Sequence, residues 1–231
     1  MKIGIIGSGN IGGALTRLFR AAGHEVTVAN SRGPASLAEL ERETGARASS
    51  VNEVAQSAEV VVLSIPLKNV ESLPAGLFSG AARGPIVIDT SNYYPRQRDG
   101  RIGDIEAGTT ESGWVQQRIG HRVVKAFNSI LAQSLVENGR PAGTPGRIAL
   151  AVAGDEADEK TVVMKLLDDI GFDTVDAGTI ADSWRQQPGT PGYLQDFDSA
   201  GVRAALQQAR RERTAEWSGT ASSPGSFESP I

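Results

Sequence analysis

Gly7-Ser8-Gly9-Asn10-Ile11-Gly12 sets three glycines in the spacing G-x-G-x-x-G, directly after the apolar run Ile3-Gly4-Ile5-Ile6. A turn of this kind between a strand and a helix presents backbone N–H groups to a phosphate. The first glycine makes the tight turn, the second leaves room for a pyrophosphate, and the third lets helix and strand pack closely. A helix over residues 11–22 would add the positive end of its dipole, so Ser8, Asn10 and Ile11 complete a pyrophosphate cradle. The next strand, residues 25–29, ends in Asn30-Ser31-Arg32. NAD-binding turns place a carboxylate there for the ribose 2′-OH, and a carboxylate would repel a 2′-phosphate. A hydroxyl and a guanidinium both donate to one. The sequence therefore predicts NADP(H), with Ser31 and Arg32 on its 2′-phosphate and Asn30 beside them.

Proton donors are harder to find. Carbonyl reduction usually needs a Tyr, Lys or His beside the hydride acceptor. Tyr93 and Tyr94 have Gln97 and Arg98, not lysine, four residues on. His24 falls in the turn before the second strand and His121 at a strand start. Lys125 is either a cation near a strand end or half of a structural ion pair. Ser64-Ile65-Pro66 either lines the cofactor on its way to the nicotinamide or ends a strand. A site without an obvious acid suits hydride exchange with a flavin-like ring, where holding two rings face to face is most of the task.

The elements that must position these residues follow from periodicity. Short apolar, β-branched runs at 60–64, 86–89, 122–126, 148–153 and 172–176 read as buried strands. Helices are expected over 36–44, stopping at Gly45, after a Ser50/Glu53 capping box, and over 155–170. The alternation predicts an α/β fold, a Rossmann-type doubly wound and mainly parallel sheet with a small C-terminal helical extension. Residues 1–183 form the nucleotide-binding domain, 184–217 the extension with a helix over 199–217, and 218–231 a Ser/Gly/Pro-rich flexible tail. Residues 90–113 are polar and follow a strand's C-terminal end, as a lid would; 183–217 should close the site or a dimer.

Composition narrows the partners. Twenty-seven acidic residues against 23 basic ones give a net charge of −4, without the basic stripe that tracks a phosphate backbone. Nucleic acid is not expected. Cysteine is absent and there are two histidines, which excludes thiolate chemistry and leaves little for a metal. No apolar run approaches the ~20 residues of a membrane helix. The reading is a cytoplasmic, soluble protein with a small-molecule acceptor, forming a homodimer.

Together with the glycine turn and Asn30-Ser31-Arg32, the block Val124-Lys125-Ala126-Phe127-Asn128-Ser129-Ile130 resembles the deazaflavin-dependent NADP oxidoreductases from residue 1 to about 183. The same blocks resemble the cytosolic NADPH domain of the six-transmembrane epithelial antigen metalloreductases. The resemblance implies that Asn128, Ser129 and Ile130 border the reacting rings, with Ile130 wedged against the nicotinamide. The deazaflavin enzymes carry His where this chain has Asn128; the metalloreductase domains, which pass hydride to a flavin, carry Asn. As a strand-end amide, Asn128 could equally satisfy loop backbone. The expected function is hydride exchange between NADPH and a deazaflavin coenzyme, FMN or FAD. A reductase of a small carbonyl or imine and a non-catalytic NADP(H) sensor are the alternatives.

Overall fold

Short runs of valine and isoleucine between turn residues become strands buried on both faces, as a parallel sheet covered by helices requires. The computed structural model describes residues 1–79, 84–212, 225 and 229–230. Strands β1 (Lys2–Ile6), β2 (Glu25–Ala29), β3 (Arg47–Ala48), β4 (Val60–Leu63), β5 (Ile86–Asp89) and β6 (Val124–Lys125) form one parallel sheet in the order β3-β2-β1-β4-β5-β6. Alternation within the strands feeds two cores. Ile3, Ile5, Val28 and Val62 face Leu15 and Phe19 of α1 (Asn10–Ala21), whereas Ile6, Val61, Leu63 and Val87 face the opposite layer. The Rossmann-type expectation is met.

The helical layers follow their sequence signals. Helix α2 (Ala38–Thr44) stops at Gly45, whose φ of 69° is left-handed. Ser50 accepts a hydrogen bond from the Glu53 N–H at 3.2 Å and caps α3 (Val51–Ser57) as a capping box. Trp114 and Val115 of α5 (Glu111–Ile119) fill the second core beside Val54 of α3, while α7 (Ala157–Asp169) brings Val163 and Leu166 to the first. No helix among the described residues is long and apolar enough to cross a membrane.

Three expectations need correction. The runs at 148–153 and 172–176 become β7 (Ala149–Val152) and β8 (Asp173–Asp176), a separate two-stranded parallel sheet. It joins the main sheet through one antiparallel bridge, Lys125 to Ala153. The segment of β7 meets β6 antiparallel and so cannot continue the parallel ladder, and the chain turns after β6 at Phe127, whose φ is 63°. Residues 90–113 are not a structureless loop. They hold a wide helical turn Pro95–Asp99, α4 (Gly103–Glu106) and the start of α5, anchored by fully buried Tyr93 and Ile105. Finally, the helix expected over 199–217 is described only as α8 (Ser199–Gln208), covering the small sheet through Val202 and Ala205. Its predicted end at 213–217 lies outside the described residues, as does most of the 218–231 tail.

Candidate functional site

Strand β1 has β2 on one side and β4 on the other, so strand addition reverses there and leaves a crevice beyond the C-terminal ends of β1 and β4. The glycine turn lies in it. Gly7 has φ 109°, and a Cβ on it would stand 2.0 Å from the Ser64 carbonyl oxygen, so both backbone and space demand glycine. A Cβ on Gly12 would lie 1.9 Å from the Gly7 carbonyl oxygen, which is the close helix–strand approach expected of the third glycine. Gly9 is different: a Cβ there would meet nothing within 4 Å. It leads into α1 with no side chain capping the helix, so the orphan N–H groups of the first turn are left for a ligand.

One arm of the crevice, a hollow of about 730 Å³, runs from Ser8 past Arg32 and Ser36. Asn30 organises this arm without being part of its wall. Its Nδ2 donates to Ser8 Oγ at 3.1 Å and Ser36 Oγ at 3.0 Å, while its Oδ1 accepts the Arg32 N–H at 2.9 Å. Two guanidiniums reach the hollow in different states. Arg17 is held by Glu43 at 2.6 and 2.7 Å, whereas Arg32 is exposed and its side chain pairs with nothing among the described residues. Ser31 is exposed beside them, off the wall.

The other arm, about 430 Å³, begins at Gly9, Asn10 and Ile11 and continues along Ser64, Ile65 and Pro66. Thr90, Ser91 and Asn92 follow from the end of β5, then Phe127, Asn128 and Ile130 from the turn after β6. Ser129 is buried but not on the wall; its carbonyl accepts the Leu194 N–H at 3.0 Å. Tyr94, Arg98 and Tyr193 close the end. The Tyr94 and Tyr193 hydroxyls hydrogen-bond each other, and the Arg98 guanidinium lies 5.1 Å from the Tyr94 ring centre. Burial pushes both phenols above the usual tyrosine range. Phe127 and Leu194, with φ of 63° and 56°, are the two left-handed non-glycine residues among those described, and both border this arm. Strained backbone of this kind costs about 1–3 kcal/mol and clusters at functional sites.

Comparison with known proteins meets this geometry at the same residues. The profile of the family described as NADP oxidoreductase, coenzyme F420-dependent, matches residues 2–93, the stretch that holds the glycine turn, Arg32 and the ends of β4 and β5. A protein of Sinorhizobium meliloti of solved structure, SMa0349, is 31% identical, with a TM-score of 0.73 over 86% of this chain and 96% of that one. The chain belongs to the F420-dependent NADP oxidoreductase family. A candidate F420-dependent NADP-reductase from Arthrobacter sp. FB24 is 26% identical, with a TM-score of 0.64 over 79% of this chain and 87% of that one. The rat metalloreductase STEAP3 is 26% identical over 181 residues, 78% of this chain. The chain spans 57% and 34% of the lengths of two curated relatives that it matches.

Within this family frame, two predicted residues take on defined surroundings. Asn128 is 3% exposed and its amide is engaged on three sides: Nδ2 donates to the Gln186 carbonyl at 2.7 Å and Asn92 Oδ1 at 3.1 Å, and Oδ1 accepts from Gln186 Nε2 at 2.9 Å. It borders the cleft while tying together three distant segments. Lys125 is the structural partner of the two readings open for it. Fully buried, its Nζ donates to Glu111 at 3.2 Å and to the Ser91 carbonyl at 3.1 Å. Burial holds the Glu111 carboxyl above the usual carboxylate range, with Lys125 opposing that rise. Tyr93 is sealed in the core, its hydroxyl accepting the Ile102 N–H at 2.9 Å, and His24 and His121 lie off both arms. Sequence reasoning missed Tyr193, Arg98 and Arg17. Arg17 is two turns beyond Asn10 on α1 and could have been found by helical spacing; nothing local marks Tyr193.

Proposed function

We propose that this family member is an NADP(H)-dependent oxidoreductase that exchanges hydride with a flavin-like or deazaflavin acceptor: a deazaflavin coenzyme, FMN or FAD. One observation carries the reading. A cleft runs from the Gly9 cradle to the Tyr94–Tyr193 pair, and among the described residues its wall holds no histidine, lysine or carboxylate. Transfer to a conjugated ring needs none of these groups, whereas reduction of an isolated carbonyl would rest on the two tyrosines alone.

The residues fit NADP(H). Gly9 leaves space where a pyrophosphate passes, the first turn of α1 offers unpaired N–H groups, and Arg32 is an unpaired cation at the opposite arm. On the far wall the buried Ser91 hydroxyl has no partner within the protein, a place for a ligand hydrogen bond. When bound, NADPH supplies the hydride. Strand ends from β4, β5 and β6 orient the two rings, and Ile65, Phe127 and Ile130 keep water from them.

The Tyr94–Tyr193 pair favours one second reading, reduction of a small carbonyl or imine, because a neutral hydroxyl can still donate a hydrogen bond to oxygen or nitrogen. The test is NADPH oxidation followed by absorbance with deazaflavin, FMN, FAD and a carbonyl and imine panel. Turnover with a flavin or deazaflavin supports the proposal. Turnover only with a carbonyl or imine replaces it, and tight NADPH binding without any turnover leaves an NADP(H) sensor. The reading includes a homodimer, checked by sedimentation.

A further inference from the structure

The end wall of the cleft is built as no other part of it is. Tyr193 is carried by the segment after the helical turn Ile180–Gln186, and its position is fixed by the left-handed Leu194, whose N–H is held by the Ser129 carbonyl at 3.0 Å. Tyr94 is carried by the segment after β5 and meets Tyr193 hydroxyl to hydroxyl. One hydroxyl of such a pair donates to the other, so the acceptor's own hydrogen is left over for a third partner. Beside them, Arg98 donates from Nη2 to the Asn92 carbonyl at 2.6 Å and from Nε and Nη2 to Asp99, each at 2.9 Å. The buried Asp99 carboxylate is itself shared with the N–H groups of Lys68 and Tyr94, at 3.2 and 2.8 Å. Nη1 of Arg98 takes no partner among the described residues. A spare hydroxyl hydrogen and a spare guanidinium edge therefore stand together at the end of the cleft.

We infer that Arg98 and the Tyr94–Tyr193 pair bind the carbonyl-bearing edge of the hydride acceptor and favour its reduced, anionic form; this rests on the proposed exchange with a flavin-like ring. Hydride brings two electrons and one proton, so a neutral ring that receives it becomes an anion, with the charge spread onto its conjugated carbonyls until solvent protonates it. Donors fixed in advance where that charge appears stabilise it without reorganising. Charge-assisted bonds from a guanidinium are the stronger kind. The phenols, held neutral by burial, stay donors throughout the ordinary pH range. The substrate class is thus a planar ring with a conjugated dicarbonyl edge, and Arg98 is its selectivity determinant.

The test is anaerobic equilibrium dialysis of the NADP⁺-saturated protein against oxidised and reduced riboflavin, for wild type, Arg98→Gln and Tyr193→Phe, with folding checked by circular dichroism. Wild type should hold the reduced ring about tenfold or more tightly than the oxidised one, and Arg98→Gln should remove most of that preference. Tyr193→Phe loses only a hydroxyl, so it should weaken both forms about fivefold with the fold intact, and it keeps the inference testable if Arg98→Gln misfolds. An unchanged ratio in Arg98→Gln, or unchanged binding in Tyr193→Phe, overturns the inference. The preference found without NADPH turnover supports it and sinks the hydride reading. Turnover without the preference does the reverse, and binding of neither form overturns the inference while leaving the hydride reading to the turnover assay.

Discussion

The two arms of the cleft are made in opposite ways. The Arg32 arm is built mainly from one stretch of chain, residues 8–43, with residues 132–137 along one side, and Arg32 in it is exposed and unpaired among the described residues. The Tyr193 arm gathers the ends of β4, β5 and β6 and a segment near residue 193, and its polar groups are largely spent on one another. On the proposed reading the first arm would bind by leaving groups unsatisfied, and its preorganisation costs little because neighbours in sequence supply most of it. The second would bind by rigidity, since a buried ion pair, an amide network and two left-handed residues hold it in shape. Damage should therefore cost affinity at the first arm and stability, then turnover, at the second.

The largest test of that contrast lies beneath the second arm. Lys125→Met strands the Glu111 carboxylate in the core and should lower unfolding free energy by about 3–5 kcal/mol in urea titrations. A loss below ~1 kcal/mol would show that the pair does not support the arm. The same pair has a pH signature. Because folding raises the Glu111 pKa, its contribution to stability is full below the ordinary carboxylate value and is lost as pH rises through the raised one. Unfolding free energy should fall more steeply across that window in wild type than in Glu111→Gln.

Glycine substitutions separate shape from affinity within the turn. Gly12→Ala forces a Cβ onto the Gly7 carbonyl and should cost about 1–3 kcal/mol of stability. Gly9→Ala has room, so its melting temperature should hold while NADPH affinity falls. Equal melting temperatures would mean that the third glycine is not a packing requirement. Asn128→Ala removes three side-chain hydrogen bonds and leaves Asn92 and Gln186 unsatisfied. It should lower kcat by about tenfold with NADPH affinity nearly unchanged, measured on protein shown to be folded. A matching loss of NADPH affinity would join the two arms into one unit.

The first arm was legible in the sequence for the same reason that it is local. Glycine spacing, a strand-end arginine and a missing carboxylate all lie within residues 7–32, and Gly7 and Gly12 make the tight turn and the close helix–strand approach their spacing predicts. The parallel sheet was legible too, since doubly buried strands read as continuous apolar runs. The second arm was legible only in part: Ser64, Ile65, Pro66, Asn128 and Ile130 were read from the sequence and line it, while its end wall was not. Tyr193 reaches Tyr94 across nearly a hundred residues, and neither the antiparallel approach of β7 to β6 nor the left-handed Phe127 is announced by any propensity. Asn128 was found, through the Lys125-Ala126-Phe127-Asn128 block, but its engagement with Asn92 and Gln186 depends on tertiary placement. Arg98 was read only as the absence of a lysine.

The smallest expected effect is also the most direct test that the cleft is an NADP(H) site read by its open arm. NADPH and NADH affinities are measured by fluorescence titration for wild type and Arg32→Ala. Wild type should prefer NADPH by about tenfold or more, and the variant should lose that preference by weakening NADPH alone, since one exposed charge-assisted contact is removed. Equal affinities in wild type, or a preference that survives in Arg32→Ala, would contradict the assignment of this arm to the 2′-phosphate.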